Sequence, residues 1–266
     1  MNLIERNCPL CGAESANLLF KIPTSMFVPS NKSIVVSKLQ QLGLYKKDSG
    51  MELVECDCCH MVYVPRVLHP ELSKAYYNEC IDANVSLSKT NRKFKQNRYE
   101  KLSKLLLQGK SDVVFEYGCG WGDFLTKAQR NGIRVIGLEL DERKRDFCKS
   151  RGIQIVNSLS EIEVPIDVFF CNQVLEHLRD PKSALLEIKQ YLRLGFIGYI
   201  SVPLYSIKQL HAMKDRIAAI SDKNINPYEH LNLFSTQTFQ KFLISMGFCI
   251  NNEVEGGMVI RNGIKL

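Results

Sequence analysis

The sequence predicts an α/β fold in which a doubly wound sheet of seven strands, the last two antiparallel, follows a small cysteine-rich domain. Three observations predict it. Short apolar runs alternate with amphipathic stretches over the second two thirds of the chain, which is typical of parallel strands separated by helices. The last two apolar runs flank Gly256-Gly257, and strands joined so tightly must be antiparallel. Two Cys-x-x-Cys pairs lie before residue 60. The predicted domains are residues 1–85 and 86–266.

The composition is that of a packed globular protein. Of the 266 residues, 45% are hydrophobic and 24% are charged, which excludes a disordered or fibrous chain. No apolar run reaches the roughly 18 residues of a membrane-spanning helix. Polar residues interrupt the N-terminus, so no secretory segment is predicted. We therefore expect a cytoplasmic protein.

Five runs in the second domain are predicted to be parallel strands, because they are short, mostly apolar and rich in branched and aromatic residues. They are Val113–Tyr117, Ile133–Leu138, Ile153–Val156, Val168–Cys171 and Phe196–Val202. The antiparallel pair is predicted at Phe248–Val254 and Met258–Ile264.

Helices are predicted between these strands. The clearest begins at Pro181, because Asp180 can cap a helix and proline is tolerated in its first turn. The predicted helices are Gly122–Arg130, Asp141–Ser150, Pro181–Leu192 and a stretch from Ser235 to Met246.

The net charge of +7 is concentrated between Lys89 and Lys110. Such a basic stripe could contact nucleic-acid phosphates. The favoured interpretation is the solvated face of one helix, because basic faces are common on helices. The residues predicted to form the apolar face of this helix are Phe94, Tyr99, Leu102, Leu105 and Leu106.

Half of the ten cysteines are grouped in two short motifs with Cys-x-x-Cys spacing. Two such pairs can bring four thiolates to one tetrahedral zinc ion, which then keeps no open position and is structural. Disulfides are disfavoured because no secretion signal is predicted. Cys58 and His60 are alternative ligands, although they do not match the spacing of the first pair. The predicted zinc ligands are Cys8, Cys11, Cys56 and Cys59.

A glycine-rich turn follows the first predicted strand, in the segment 116–122 with the sequence Glu-Tyr-Gly-Cys-Gly-Trp-Gly. Glycines at a strand-to-helix turn let a ligand lie against bare backbone. A dinucleotide fingerprint would need a glycine at Asp123, and Glu116 would repel a pyrophosphate. An acid there suits a cation, and S-adenosylmethionine carries a sulfonium and an ammonium group. Glu139, which ends the second strand, is placed to bind ribose hydroxyls.

Three motifs in the second domain resemble those of class I S-adenosylmethionine-dependent methyltransferases. The glycine-rich turn resembles their first motif, the segment 167–181 with Leu-Glu176-His177 resembles their fourth-strand segment, and Glu229-His230-Leu-Asn-Leu-Phe-Ser235 resembles a later motif. The cysteine pairs followed by Tyr76-Tyr77 resemble the zinc-binding domain of some sugar C-methyltransferases and their relatives in surface-polysaccharide and natural-product pathways. Those enzymes usually carry a further C-terminal domain, whereas the elements predicted here end with the sheet.

The resemblance implies a Rossmann-like fold and a donor site at the carboxyl edge of the sheet. The first turn would contact the methionine half of the donor, the end of the second strand its ribose, and Asn157–Leu159 its adenine. Cys171 and the two residues after it would line the wall beside the methyl group. The implied donor-binding residues are Glu116, Gly118, Cys119, Gly120, Glu139, Leu140, Ser158, Asn172 and Gln173.

The resemblance also implies a catalytic base, and histidine is suited to that role at neutral pH. We expect His230 to be the proton acceptor, Glu229 to orient it and Tyr228 to contact the substrate. A structural role for His230 remains the alternative. His177 could likewise be catalytic or only shape its turn.

The sequence therefore predicts an S-adenosylmethionine-dependent methyltransferase with structural zinc. The expected acceptor is a small molecule, such as a nucleotide-activated sugar or a polysaccharide precursor, methylated on carbon or oxygen. One alternative is an RNA-binding or RNA-modifying enzyme, which the core-like spacing of the aromatic residues in the basic helix disfavours. The other is an inactive donor-binding scaffold. We expect the segment 204–227 to cover the substrate.

Overall fold

The computed structural model describes residues 3–28, 33–45, 50–80, 87–88, 92–107, 112–213 and 225–262. Within it the chain forms two compact units. The cysteine unit comprises Met1–Asp82, Leu175–Pro181 and Pro203–Phe242, and the seven-stranded unit comprises Ala83–Val174, Lys182–Val202 and Leu243–Leu266. Two later segments thus join the first 82 residues in one unit. The domain boundary at residues 85 and 86 stays a prediction.

The seven-stranded unit contains the predicted doubly wound sheet, and the fold class is confirmed. Its strand order is β12-β13-β10-β9-β6-β7-β8. Strands β10, β9, β6, β7 and β8 run parallel, and β13 is antiparallel to both β10 and β12. The strands are β6 (Val113–Tyr117), β7 (Arg134–Leu138), β8 (Gln154–Val156), β9 (Ile166–Asn172), β10 (Leu192–Ser201), β12 (Phe248–Val254) and β13 (Gly257–Asn262).

The helices predicted in the second part of the chain are present, with small changes at their ends. Helix α6 ends at Ile188, and a 3-10 turn at Lys189–Tyr191 replaces the last residues of the predicted helix. This shortening lets β10 begin at Leu192, where it first pairs with Ile166 of β9. The helices are α3 (Lys93–Leu106), α4 (Asp123–Gln129), α5 (Glu142–Ser150), α6 (Pro181–Ile188) and α8 (Thr236–Ser245).

The basic helix α3 packs on the sheet by a narrower apolar face than the sequence predicts. Tyr99, Leu102 and Leu106 are buried in the core of the seven-stranded unit. The prediction was wrong for Phe94, whose side chain is 77% exposed because it lies in the first turn of the helix. Lys89 and Lys110, the first and last residues of the predicted basic stripe, lie outside the described residues.

The cysteine unit is built on a four-stranded antiparallel sheet of order β11-β4-β3-β2, with a separate two-stranded pair of β1 and β5. Branched and aromatic side chains from these strands and from α1 and α2 form its core. Its elements are β1 (Leu3–Glu5), β2 (Ala16–Pro23), α1 (Ser33–Gln41), β3 (Gly50–Cys56), β4 (Val62–Tyr63), β5 (Arg66–Leu68), α2 (Pro70–Cys80), α7 (Ile207–Met213) and β11 (Asn232–Leu233).

The segment predicted to cover the substrate is described only in part. Helix α7 lies within it, and residues 214–224 are outside the described residues. Among the helices of the described ranges, none has both the length and the apolar character needed to cross a bilayer.

Candidate functional site

The glycine turn between β6 and α4 combines close packing with one open position. Gly118, Gly120 and Gly122 all have left-handed φ angles, of 70°, 56° and 70°. A Cβ atom on Gly118 would lie 2.6 Å from a methyl group of Val174, so glycine is required there by packing. At Gly120 a Cβ atom would meet nothing within 4 Å. The turn therefore presents bare backbone to open space at Gly120.

Glu139, at the end of β7, holds this turn in place. One carboxylate oxygen accepts the N–H of Gly120 at 2.8 Å, and the other accepts those of Leu140 and Asp141 at 2.8 and 2.9 Å. An ionised carboxylate offers about four acceptor positions, so about one remains for a ligand hydroxyl. The acid predicted to bind ribose thus also shapes the loop that would contact the rest of the donor.

Glu116 places a buried carboxylate beside the turn. Its side chain is 4% exposed, and Oε2 has no hydrogen-bond partner among the described residues. Burial raises the pKa of Glu116 well above its usual value, and the charge of Asp123 adds to the effect while Lys95 opposes it. A cationic ligand at this oxygen would relieve the cost of the unpaired buried acceptor. The site therefore fits the ammonium group of S-adenosylmethionine.

The other predicted donor residues differ in what their side chains offer. The Cys119 side chain is buried against the backbone of Gly137, so the thiol is not exposed to a ligand. Leu140 is 77% exposed, so its side chain is accessible to a ligand. Ser158 is exposed, and its hydroxyl lies 2.7 Å from that of Ser160.

Asn172 and Gln173 end β9 at the carboxyl edge of the sheet. Asn172 Oδ1 accepts hydrogen bonds from Ser201 Oγ at 2.7 Å and from Arg98 Nη2 at 3.0 Å. Gln173 has a left-handed φ of 57°, and its N–H donates to the Ser201 carbonyl at 2.9 Å. Non-glycine residues with a left-handed φ are uncommon, and those that occur are concentrated at functional sites.

Arg98 is a residue of this edge that the sequence analysis treated only as part of the basic stripe. Its guanidinium donates to Asn172 and, at 2.7 Å, to the hydroxyl of Tyr199. Its buried Nε has no hydrogen-bond partner among the described residues. No local signal could have singled it out, since its partners lie at least 70 positions away in the chain.

Other basic residues of α3 are likewise engaged within the seven-stranded unit. Lys95 pairs with Asp123 at 3.0 Å, and Lys101 pairs with Glu255 at 3.0 Å. Lys104 lies 3.6 Å from Glu100 on the same helix. These pairings leave less unpaired positive charge on the helix than the sequence alone indicates.

The four predicted zinc ligands come together in the cysteine unit. The sulfur atoms of Cys8, Cys11, Cys56 and Cys59 all lie within 4.8 Å of one another. Cys8 and Cys59 are 3.4 Å apart, and Cys11 and Cys56 are 3.5 Å apart. The two sulfur atoms of a disulfide are about 2.05 Å apart. Tetrahedral Zn–S bonds of about 2.3 Å instead place the sulfur atoms about 3.8 Å apart. The cluster therefore fits a tetrahedral ion, and none of the ten cysteines forms a disulfide.

Glu176, His177 and His230 form a second cluster in the cysteine unit. One ligand atom from each lies within 4.8 Å of the others. His177 Nε2 is 3.7 Å from Glu176 Oε1, and the two imidazole rings are edge-to-face with centroids 4.8 Å apart. Burial raises the pKa of Glu176 to about 8. The sequence did not identify Glu176 as a member of this cluster.

Tyr228 and Glu229, which were expected to act with His230, differ in burial. Tyr228 is only 2% exposed, its ring stacks on Tyr76, and its hydroxyl bonds to Thr24. The expected contact between Tyr228 and substrate stays a prediction that this burial argues against. Glu229 is half-buried, and its Oε1 accepts from Asn226 at 2.5 Å.

The comparisons with known proteins agree with this fold. A family model described as a methyltransferase domain matches residues 88–251. DesVI of Streptomyces venezuelae is similar in structure, with a TM-score of 0.53 and 10% sequence identity over 68% of this chain and 98% of that chain. The plantazolicin methyltransferase BamL, solved with a triazolic desmethylPZN analog and SAH, has a TM-score of 0.52 and 13% sequence identity. The match covers 67% of this chain and 74% of that chain.

An O-methyltransferase family protein from Burkholderia thailandensis gives a TM-score of 0.50 with 11% identity, over 73% of this chain and 61% of that chain. A search of curated proteins gave no match. Because the family model spans more than half of the sequence, the chain belongs to the methyltransferase domain family.

Proposed function

We propose that this protein transfers a methyl group from S-adenosylmethionine to a small-molecule acceptor. The observation that carries the proposal is the glycine turn of a methyltransferase-family chain, which leaves open space at Gly120 and follows a strand whose Glu116 has a buried carboxylate oxygen, Oε2, without a hydrogen-bond partner among the described residues. The BamL structure contains SAH, the product that such a donor leaves after transfer. Its presence on a similar fold supports the choice of donor.

The donor-binding residues would act mainly by holding the donor in one position. The sulfonium methyl is already an activated electrophile, so alignment of the acceptor accounts for most of what the protein must add. Glu116 would attract the ammonium group, Glu139 would use its remaining acceptor position for a ribose hydroxyl, and the backbone of Gly120 would lie against the methionine half. The adenine contact expected of Ser158 remains a prediction.

The acceptor would be activated by the cluster around His230. An acceptor hydroxyl, or a carbon next to a keto group, must lose its proton before it can attack the methyl group. The cluster brings together two imidazoles and a carboxylate, with one ligand atom of each within 4.8 Å of the others. We propose a nucleotide-activated sugar or a polysaccharide precursor as acceptor, on the resemblance of the cysteine motifs to those of sugar methyltransferases.

Zinc would hold the N-terminal cysteine motifs together. The four sulfur atoms would complete a tetrahedral shell and leave no coordination position for water or substrate. The ion would therefore stabilise the fold of the cysteine unit and take no part in methyl transfer.

Calorimetric titration of the purified protein with S-adenosylmethionine tests the donor, with zinc content measured on the same sample. We expect saturable binding, one zinc per chain, and methyl transfer to a keto-sugar nucleotide that is lost in His230→Ala. Folded, zinc-loaded protein that does not bind the donor would overturn the proposal. Donor binding without transfer to any acceptor tested would favour an inactive scaffold, and salt-dependent RNA binding would favour the RNA alternative.

A further inference from the structure

We infer that Glu176, His177 and His230 bind a divalent metal ion that is separate from the cysteine-bound zinc. The ligand atoms of these three residues converge within 4.8 Å, and all three belong to the cysteine unit. Two imidazoles and one carboxylate form a mixed nitrogen and oxygen site, which suits manganese, iron, cobalt or zinc in the divalent state. Three protein ligands leave open positions for water or an acceptor oxygen.

The state of Glu176 is the first reason for this inference. Its side chain is 1% exposed, and neither carboxylate oxygen has a hydrogen-bond partner among the described residues. A buried carboxylate without partners is costly unless it is paired or coordinates a metal. The 3.7 Å separation from His177 Nε2 is longer than a hydrogen bond, so that contact does not satisfy the carboxylate.

The tautomer of His177 is the second reason. Its Nδ1 lies 2.8 Å from the backbone carbonyl oxygen of Glu229, which can only accept, so Nδ1 carries the proton. In the neutral ring with this tautomer the lone pair is on Nε2, the nitrogen that lies 3.7 Å from Glu176 Oε1. Histidines that bind metals almost always donate their other ring N–H to a carbonyl or carboxylate in this way.

The backbone around the cluster is fixed by hydrogen bonds that do not use the ligand atoms. The Leu231 N–H donates to the Glu176 carbonyl at 2.7 Å. Asn232, which is fully buried, donates through Nδ2 to the carbonyls of Leu175 and Leu178 at 2.8 Å each. The turn of Glu176 and His177 is thus tied to the segment that carries His230. This rigidity favours ion binding, because little ordering remains to be done when the ion arrives.

The role of the ion rests on the proposed function. An acceptor oxygen that occupies an open position would be polarised, which favours loss of its proton at neutral pH. His230 would then act on the acceptor through the metal, in contrast to the free base that the sequence motif suggests. The metal site itself stands on the geometry of the cluster and does not depend on the identity of the donor.

Manganese is the probe that separates the two metal sites. Carboxylate and imidazole ligands accept Mn²⁺, whereas four thiolates select zinc. The zinc-loaded, full-length protein is first dialysed against a mild chelator. It is then titrated with Mn²⁺, and the free ion is followed by its electron paramagnetic resonance signal. We expect one Mn²⁺ per chain, bound at least about tenfold more weakly in Glu176→Gln and in His230→Ala.

His211→Ala is the matched control, because this exposed histidine pairs with Glu55 in the same unit and lies outside the cluster. It should bind Mn²⁺ as the wild type does. Unchanged zinc content and thermal unfolding show that each variant is folded. Absence of Mn²⁺ binding by the folded wild type, or equal affinity in Glu176→Gln, would overturn the metal site.

Donor titration of the same samples keeps the outcomes distinct, because donor binding without Mn²⁺ binding overturns only the metal site. Mn²⁺ binding without donor binding overturns only the proposed function.

Discussion

His60 occupies in the second cysteine motif the position that Gly12 occupies in the first. Each follows the second cysteine of its pair and has a left-handed φ, 61° for His60 and 79° for Gly12. The His60 N–H donates to the Cys56 carbonyl at 3.0 Å, and the Gly12 N–H donates to the Cys8 carbonyl at 2.9 Å. The two motifs therefore form the same turn, although only the first has the residue that this conformation favours.

Substitutions of His60 should show that the turn requires a backbone conformation and not an imidazole. We expect His60→Gly to retain zinc and to be as stable as the wild type or up to about 1 kcal/mol more stable, since the left-handed strain is removed. The lost contact between His60 and Glu55 is exposed and contributes little. His60→Val should be less stable, because a branched side chain disfavours this φ. Thermal unfolding and zinc content measure both. Loss of zinc in His60→Gly would instead make His60 a ligand.

Cys56 and Cys58 provide a test of the zinc site with a built-in control. Cys56→Ser should lose most of the bound zinc and unfold at lower temperature, because a tetrahedral site with three thiolates is incomplete. Cys58→Ser should keep the zinc, since Cys58 is exposed and is not a member of the four-sulfur cluster. Zinc is measured by mass spectrometry on purified protein. Equal zinc content in the two variants would contradict the assignment.

Gly120 and Gly132 separate donor binding from backbone strain. Both have left-handed φ angles, and a Cβ atom on either would meet nothing within 4 Å. Substitution of either glycine by alanine should therefore lower the free energy of unfolding by about 1–2 kcal/mol. Only Gly120→Ala should weaken S-adenosylmethionine binding, because its methyl group would enter the space proposed for the donor. Calorimetry on both variants decides this, and equal affinities would place the donor elsewhere.

Glu139→Gln tests the double role of the carboxylate at the end of β7. The amide cannot accept at both of its ends, so at least one of the three backbone N–H groups loses its partner. We expect stability to fall by about 1–3 kcal/mol and donor affinity to fall by tenfold or more. Glu142→Gln, at an exposed position of α5, should change neither. Weakened donor binding without any loss of stability would mean that Glu139 contacts ligand but does not hold the turn.

Arg98 and Lys101 lie on the same helix but should differ in their effect on stability. Arg98→Met removes hydrogen bonds to Asn172 and Tyr199 and should destabilise the protein by about 2 kcal/mol. Lys101→Met removes one exposed ion pair with Glu255 and should change stability by less than about 1 kcal/mol. Denaturant unfolding compares the two. Similar losses would show that Arg98 is only one more basic residue of the helix surface.

The order and type of the elements around the central sheet were predictable from the sequence alone. The apolar run Val113–Tyr117 forms a strand with the predicted bounds, and the other four parallel strands differ from their predicted bounds at one or both ends. Burial on both faces leaves a continuous apolar signal that is local in the chain. The antiparallel ending was also predicted, although the turn consists of Glu255 and Gly256, one residue earlier than the predicted Gly256-Gly257, and Gly257 begins β13. The spacing of the cysteine pairs predicted which four sulfur atoms converge, since each pair is a short local turn.

Contacts between side chains that are distant in sequence were not predictable without the folded chain. The segments 175–181 and 203–242 fold with the first 82 residues, and this brings Glu176 beside His230 although 54 positions separate them in sequence. Arg98 reaches Asn172 in the same way. Such contacts depend on the packing of whole elements, which leaves no periodic signal in the residues themselves. The pattern of a sequence therefore predicts strands and turns, whereas the partners of buried polar groups follow from the folded chain.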